Sequence, residues 1–417
     1  MEYKKANVKW LEKIPSHWKI DRIKDKTTRV VGGDWGNDPE SNAQGKNVVV
    51  LRVADLDDIY FSYNNLTYRK IKDSSIKSRA VNKNSLLIEK SGGGEKQFVG
   101  RVGYPQGMNF MAISSNFMAK IEFDNSVDIR FANYMFSSLY ASKLNFPFVQ
   151  QTTGIQNLNV GYYLTTKVAF PPKKEQTAIA NYLDKACAQI DEIIRIKEEQ
   201  LNVLDDYFIS YRHKIITQGI NKKDFVSYDD DFLKKVPSDW QFTKLRYLLS
   251  LKNGKLIKNS ELIKGGKVPV YGGNGIMGRT NKHNYNGESI IIGRVGAKCG
   301  NIHYTNEKIW VSDNATAVKT LINYEYTLNL LKVLKLNRFA SETAQPLLVG
   351  NNIKKIHVAI PSLLEQKDIV KKIKIVSNKI DLLKSKTKSQ ITILENYRKS
   401  LIHECVTGKK QVIYQDV

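Results

Sequence analysis

Two stretches of the chain repeat apolar residues at alternating intervals of three and four. Ile179, Leu183, Ala186, Ile190 and Ile193 keep this spacing, and Leu204, Tyr207 and Tyr211 resume it in phase. Ile369, Ile373, Val376, Ile380 and Leu383 repeat the arrangement, followed by Leu394, Tyr397 and Leu401. Such heptads predict two long helices that bury a narrow coiled-coil seam. Pro171-Pro172 and Pro361-Ser362 mark the starts, each followed by a glutamate suited to the positive helix end. Gly219 and Gly408 mark the stops. Both seams are interrupted at one place, by Lys197 and Gln200 and by Thr387 and Gln390. The plain expectation there is an exposed stretch; a register-setting polar layer is the alternative. Elsewhere short β-rich runs such as "NVVVLRVADL", "SLLIEK", "FMAKIEF", "SIIIGRVG" and "KIWVSD" alternate with Gly, Asn and Asp turns. "IRFANYMFSSL" and "NYEYTLNLLKVLKL" read as helices among them.

These patterns occur twice because the chain is duplicated. "EKIPSHWKIDRIKD" from Glu12 returns as "KKVPSDWQFTKLRY" from Lys234, with Pro15, Ser16 and Trp18 matching Pro237, Ser238 and Trp240. "VGRVG" (99–103) is echoed by "IGRVG" (292–296), which sets Arg101 against Arg294, and "SSN" ending at Asn116 by "SDN" ending at Asn314. "VAFPPKKEQTAI" from Val168 matches "VAIPSLLEQKDI" from Val358, and from there the halves align without a gap for about fifty residues. Glu175/Glu365, Gln176/Gln366, Ile190/Ile380, Asp191/Asp381, Gln200/Gln390, Tyr207/Tyr397 and His213/His403 are identical pairs. The expected organisation is a block at 1–171, a helix at 172–219, a linker at 220–233, a block at 234–360, a helix at 361–408 and a tail at 409–417. Both helices need a partner for their seams. Pairing them antiparallel with each other is the economical arrangement, and it leaves one α/β block at each end. The fold class is α+β.

Charge adds a partner to this picture. Lys and Arg number 65 against 41 Asp and Glu, a net charge of +24. The surplus sits in the blocks, +8 over residues 1–170 and +13 over 234–358, with −3 over 171–233 and +6 over 359–417. Two basic blocks flanking an acidic segment suggest that the blocks touch a nucleic acid and the middle does not. Three scattered cysteines, Cys187, Cys299 and Cys405, with no CxxC, suggest a reduced, cytoplasmic protein without structural zinc. No apolar run has signal-peptide or membrane-span length.

Glycine spacing raises one catalytic possibility. "VYGGNGIMGRT" from Val270 contains GxGxxG and nearly spells a phosphate loop. A nucleotide loop needs a buried strand before it and a helix directly after. Here Pro269 interrupts the strand, Arg279 replaces the lysine, and "NKHNYNGES" stands where the helix should start. Glycine-rich turns between short strands fit better, or a turn that lets backbone approach nucleic acid, with Tyr271, Asn274 and Arg279 as contacts. A DNA-adenine methylase would show [ND]PP[YF] and FxGxG; a restriction-type nuclease would show a PD…[DE]xK carboxylate cluster. Neither motif set is present, and the six histidines lack metal-ligand spacing. His213 and His403 are expected to be helix-surface or core residues, with a repeated partner contact as the alternative. The residues point to no catalyst.

The ordered, duplicated motifs resemble those of the specificity (S) subunit of type I restriction–modification enzymes along essentially the full length. "PSHW" and "PSDW" open the blocks, "GRVGAKCGN" and "WVSDNA" lie in the second, and "PPKKEQTAIANYLD" and "PSLLEQKDIVKKI" open the tails. The resemblance implies two target recognition domains, each reading half of a split double-stranded DNA target, spaced by an antiparallel coiled coil. It implies two methylation (M) subunits that bind S-adenosylmethionine, and motor-nuclease (R) subunits that use ATP and Mg²⁺. This chain would then bind no cofactor itself. Candidate DNA contacts are Lys90, Ser91, Gly92, Gly93 and Lys96, in a basic loop or surface hairpin, with Tyr271, Asn274, Arg279 and Lys298. Arg101 and Arg294 could serve phosphates or form structural salt bridges. The seam candidates are Ile179, Leu183, Ile190, Ile193, Leu204, Ile369, Ile373, Ile380, Leu383 and Leu394. A nucleic-acid scaffold without a restriction role is the alternative in function.

Overall fold

The computed structural model describes every residue except 1, 95–96, 153, 222–223, 229–232, 234, 297, 342–345 and 413–417. The chain divides into two compact units: Met1–Ile196 with Ser389–Val417, and Lys197–Lys388. Each unit therefore holds one block, half of the first long helix (Lys173–Gln218) and half of the second (Leu363–Val406).

Within the first unit, Val102–Gly103, Ser85–Glu89, Met118–Phe123 and Thr27–Gly32 form an antiparallel four-stranded sheet in that order. A three-stranded sheet adds Ala112–Ser114 parallel to Lys46–Leu51, which pairs antiparallel with Tyr68–Ile71. The second unit repeats both. Ile302–Asn306, Glu288–Gly293, Ala315–Thr320 and Leu249–Asn253 make its four-stranded sheet. Trp310–Val311 runs parallel to Val268–Gly272, which pairs antiparallel with Gly275–Thr280. Runs such as "VVVL" and "SIII" are buried at every position, because sheet and helix cover both of their faces. The helices Ile129–Ala141 and Tyr324–Leu334 pack into the two main cores.

The repeated motifs converge where each block meets the helices. Trp18 is fully buried, and its Nε1 donates to Glu175 Oε1 at 3.1 Å; Trp240 Nε1 donates to Glu365 Oε2 at 3.3 Å. The neighbouring glutamines work as clamps. Gln176 accepts from the backbone N–H of Asp128, the N-cap of Ile129–Ala141, and donates to Pro171 O. Gln366 accepts from the N–H of Asn323, the N-cap of Tyr324–Leu334, and donates to Pro361 O. Each amide ties the start of a long helix to the start of a block helix, which satisfies helix-end groups that would otherwise be orphaned.

The two glycine stops complete these junctions. Gly219 and Gly408 both have φ +74°, the left-handed geometry that ends a helix. A Cβ on Gly408 would lie 2.4 Å from Pro15, and one on Gly219 would lie 3.2 Å from the Trp240 ring. In each unit a tryptophan thus touches the start of one long helix and the end of the other. The helices can only be antiparallel.

The seam is shifted by one residue from part of the expected register. Leu183, Cys187, Ile190, Ile194, Lys197, Leu201, Leu204, Phe208, Tyr211 and Ile215 are buried or half-buried, at alternating spacings of four and three. Ile373, Ser377, Ile380, Lys384, Thr387, Ile391, Leu394, Arg398, Leu401 and Cys405 do the same, each 190 residues later. Ile179 and Ile369 are buried against the blocks. Ile193 and Leu383, however, lie outside the seam, 44% and 49% exposed. Apolarity alone favours Ile193 over Ile194 as strongly as the reverse, and at the second site the seam position is taken by Lys384. Its stem packs while its ammonium reaches Asp205 at 2.7 Å. Tyr207 and Tyr397 likewise point outward, replaced by Phe208 and Arg398. Lys197 and Thr387 occupy seam positions, half-buried, whereas Gln200 and Gln390 are exposed. The mid-helix interruption thus sets one polar residue of each helix on the seam and leaves the glutamine three positions on exposed.

Candidate nucleic-acid interface

The glycine-rich stretch is a β-hairpin. Val268–Gly272 pairs with Gly275–Thr280 through a turn at Gly275, φ +102°, and no helix follows. Its glycines let backbones meet: a Cβ on Gly293 would lie 1.9 Å from Gly273 O. That contact seats the end of the hairpin strand on the end of the central strand, Glu288–Gly293. Neither a nucleotide loop nor a phosphate loop is formed.

The hairpin distributes its candidate side chains unequally. Tyr271 is 7% exposed and packs with Ile291, Ile309 and Val311, so it presents no face to a ligand. Every residue of its strand is buried between neighbouring elements. Asn274 is exposed, accepting a 2.9 Å hydrogen bond from Asn301. Arg279 is exposed and donates to the carbonyls of Gly266 and Lys267.

Arg101 and Arg294 do not occupy equivalent places. Glu89 N–H donates to Arg101 O, and in the second sheet Gly293 N–H donates to Asn301 O, so Asn301 is the counterpart of Arg101. The counterpart of Arg294 is Lys90. Their N–H groups donate to Phe117 O and Asn314 O, and their carbonyls accept from Leu158 and Leu348. The five-residue echo falls on different strands of the sheet. Arg101 is a structural ion-pair partner, 3.1 Å from Glu89, which is buried. Burial pushes the Glu89 carboxyl above its ordinary range, and Arg101 opposes the shift. Arg294 donates to Asp313 O at 3.2 Å, and its Nε has no partner among the described residues.

Ser91-Gly92 forms a short strand against Ile155–Leu158, with Ser91 Oγ donating to Asn157 at 2.7 Å. The fully buried Gln156 ties this ribbon down, donating to Gly94 O and accepting from Val99 N–H. The basic segment is an ordered hairpin edge up to Gly94; Lys96 lies outside the described residues. Lys298 is exposed, on a different wall of the second block.

A cleft of about 360 Å³ opens beside this ribbon, lined by Ser91, Gly92, Gly93, Trp35, Asn116 and Phe117. Trp35 and Phe117 are exposed, and the Arg69 guanidinium lies 5.0 Å from the Trp35 ring centroid. Exposed aromatics beside amide and hydroxyl groups can stack on bases and read their edges. Sequence reasoning missed Trp35, Asn116 and Phe117. The available signal was a tryptophan inside the turn "GGDWGND", where no core needs it. In the second block the equivalent surface carries Arg294, Asn274, Asp313 and Asn314, which come together across the Gly273–Gly293 contact.

Comparison with known proteins joins this geometry to a family. The family model for the type I restriction modification DNA specificity domain matches residues 15–204 and 237–392, most of the chain and both repeats. The chain belongs to this family. It is 25% identical to the MjaVIII specificity subunit of a type I restriction enzyme from Methanocaldococcus jannaschii, over 98% of this chain and 97% of that protein. It is 28% identical to the EcoprrI specificity subunit of Escherichia coli over 156 residues, 36% of this chain and 39% of that one. The fold matches a chain from a solved type I R-M system, TM-score 0.72 at 13% identity, covering 95% of this chain and 99% of that one. It also matches the HsdS subunit from Thermoanaerobacter tengcongensis, TM-score 0.55 at 14% identity, over 95% and 98%. The chain is a non-catalytic DNA sequence-specificity subunit of a type I restriction–modification system. Among the described residues no helix is long and apolar enough to cross a membrane, and no cluster of three or more His, Cys, Asp or Glu could hold a metal ion.

Proposed function

We propose that each block reads one half of a bipartite duplex target and that the paired helices fix the gap between the halves. The observation that carries this reading is the repeated Trp–Glu–Gln junction. It mounts two blocks on the helices by identical residues, Trp18, Glu175 and Gln176 and Trp240, Glu365 and Gln366, while the exposed surfaces they present differ. Identical mounts with unlike faces suit two unlike half-sites. In the first block Trp35, Asn116, Phe117 and Ser91 are the base-reading candidates, with Lys90 and Gly92–Gly93 backbone beside them. In the second they are Asn274, Arg279 and Arg294, with Lys298 a separate phosphate contact.

The repeated helices offer two similar surfaces, suited to two methylation subunits. S-adenosylmethionine, ATP and Mg²⁺ would act on those subunits and on motor-nuclease subunits, in the cytoplasm. The test is to map methylated motifs in cells expressing the parent chain or Asn116→Ala/Phe117→Ala. One half-site should lose stringency, the other half-site and the gap remaining as before. Relaxation of both half-sites together would overturn the division of labour.

A further inference from the structure

The second unit contains a cavity of about 650 Å³ between the first long helix and the block helix Tyr324–Leu334. Six basic side chains line it: Arg212, His213, Lys298, His303, Lys332 and Lys335. Among the described lining residues none is Asp or Glu. Arg212 is half-buried, stacked 4.4 Å over the Phe208 ring, and its Nε has no hydrogen-bond partner among the described residues. His303 Nε2 is also buried without a partner among the described residues, and Lys335 sits at φ +50°, an unfavourable conformation for a residue with a side chain. Burial lowers the pKa of Arg212, and burial together with Lys332 lowers that of His303. Arg212, Lys332 and Lys335, with no Asp or Glu among the described lining residues, cost free energy here unless an anion shares the space.

The duplication supplies an internal control. The seam register places Ile402 where Arg212 stands in the other half, 190 residues earlier, and Ile402 is buried. Aligned on their N-caps, Asp128 and Asn323, the block helices set Ser137 against Lys332 and Tyr140 against Lys335. Sheet pairing sets Gly103 against His303, and a Cβ there would strike Leu56 at 2.2 Å. Next to Ile402, His403 hydrogen-bonds Ser138 at 3.0 Å. One unit sets neutral residues at these four positions. The other replaces them with cationic or imidazole side chains and leaves a cavity.

We propose that this cavity is a phosphate-binding site, taking either a small free phosphate ligand or a phosphate of the nucleic-acid backbone. Apolar walls from Ile302, Leu331 and Leu336 with convergent cations suit a phosphorylated group better than a carboxylate side chain, since several donors can share its oxygens. None of the base-reading candidates lines this cavity.

Two substitutions borrowed from the other half test it in the full chain: Arg212→Ile and Lys332→Ser. Thermal unfolding would be followed with inorganic pyrophosphate against sodium chloride at matched ionic strength. The parent should gain roughly 2–4 °C at pyrophosphate several-fold above its Kd, and both variants should lose that gain. Without anion the variants should melt no lower than the parent, because each removes an unbalanced cation. In the second arm, binding to mixed-sequence duplex is measured against salt. If DNA supplies the phosphate, pyrophosphate has little effect and each variant reduces the salt slope by about 0.9. Equal behaviour of parent and variants in both arms overturns the site. So does a marked loss of anion-free stability in both variants, which would make the cations structural.

Discussion

Trp18 donates its indole N–H to Glu175 across 3.1 Å, joining the first strand-rich segment of a block to a long helix 157 residues later. Glu175 also lies 2.8 Å from His17 Nε2. The two oxygens of one buried carboxylate thus engage two ring nitrogens, Oε1 the Trp18 indole and Oε2 the His17 imidazole. Trp18→Phe keeps most of the apolar contact and removes the donor. It should cost about 1.5–3 kcal/mol, the range for a hydrogen bond to a charged group. Urea unfolding would measure it, and a cycle with Glu175→Gln should give a coupling of at least ~1 kcal/mol.

The seam register makes a paired prediction. Ile190 is 6% exposed in the first unit's core, with Leu401 and Cys405 in the same cluster, whereas Ile193 is 44% exposed. Ile190→Asp should destabilise that unit by several kcal/mol, since it buries a carboxylate among apolar groups. Ile193→Asp should stay within about 0.5 kcal/mol of the parent. Equal effects in urea unfolding would refute the register.

Glu89 and Arg101 give a pH dependence. The carboxyl has its pKa raised by burial, so stability attached to it is present at low pH and falls as pH rises through the folded-state value. Arg101 limits the fall. Arg101→Gln leaves the buried carboxylate unpaired and should cost about 3 kcal/mol at pH 7. The deficit should shrink as pH drops through the acid range and Glu89 takes up a proton. Unfolding at pH 5 and pH 7 checks the sign: a deficit that grows toward pH 5 contradicts it.

Lengthening both helices tests the spacing role. Seven residues inserted after Lys197 and seven after Lys388 preserve the four-and-three seam on both strands and add about 10 Å. Methylation mapping should then show unchanged half-sites with a gap up to ~3 base pairs longer. A fixed gap with altered half-sites would remove the helices from that role.

Much of this architecture was legible because duplication supplies its own alignment. The tails match without a gap, and the motifs Trp18/Trp240, Glu175/Glu365 and Gln176/Gln366 all prove to be junction residues. Their common purpose was not legible, since it depends on tertiary contacts between segments far apart in sequence. Seam phase failed at Ile193 because two adjacent isoleucines carry the same signal, and at Leu383 because a lysine stem serves as well as a leucine. Surface readings were the weakest. Arg101 and Arg294 share five-residue surroundings but belong to different strands, and Tyr271 turns inward although its neighbours Asn274 and Arg279 are exposed. A local echo carries no information about which strand of a sheet it occupies.

The division of each unit between distant stretches of chain governs the order in which the protein can be completed. The first unit's core includes Leu401, Ile402, Cys405 and Val406, which the ribosome adds only after the whole of Lys197–Lys388. At about 5–20 residues per second that interval lasts roughly 10–40 s. Throughout it the apolar edge formed by Leu183, Cys187 and Ile190 lacks its covering helix. The second unit, drawn from one continuous stretch, has no such wait. Although it is made later, it is the half that can close first, and the first half is sealed by the last helix to emerge.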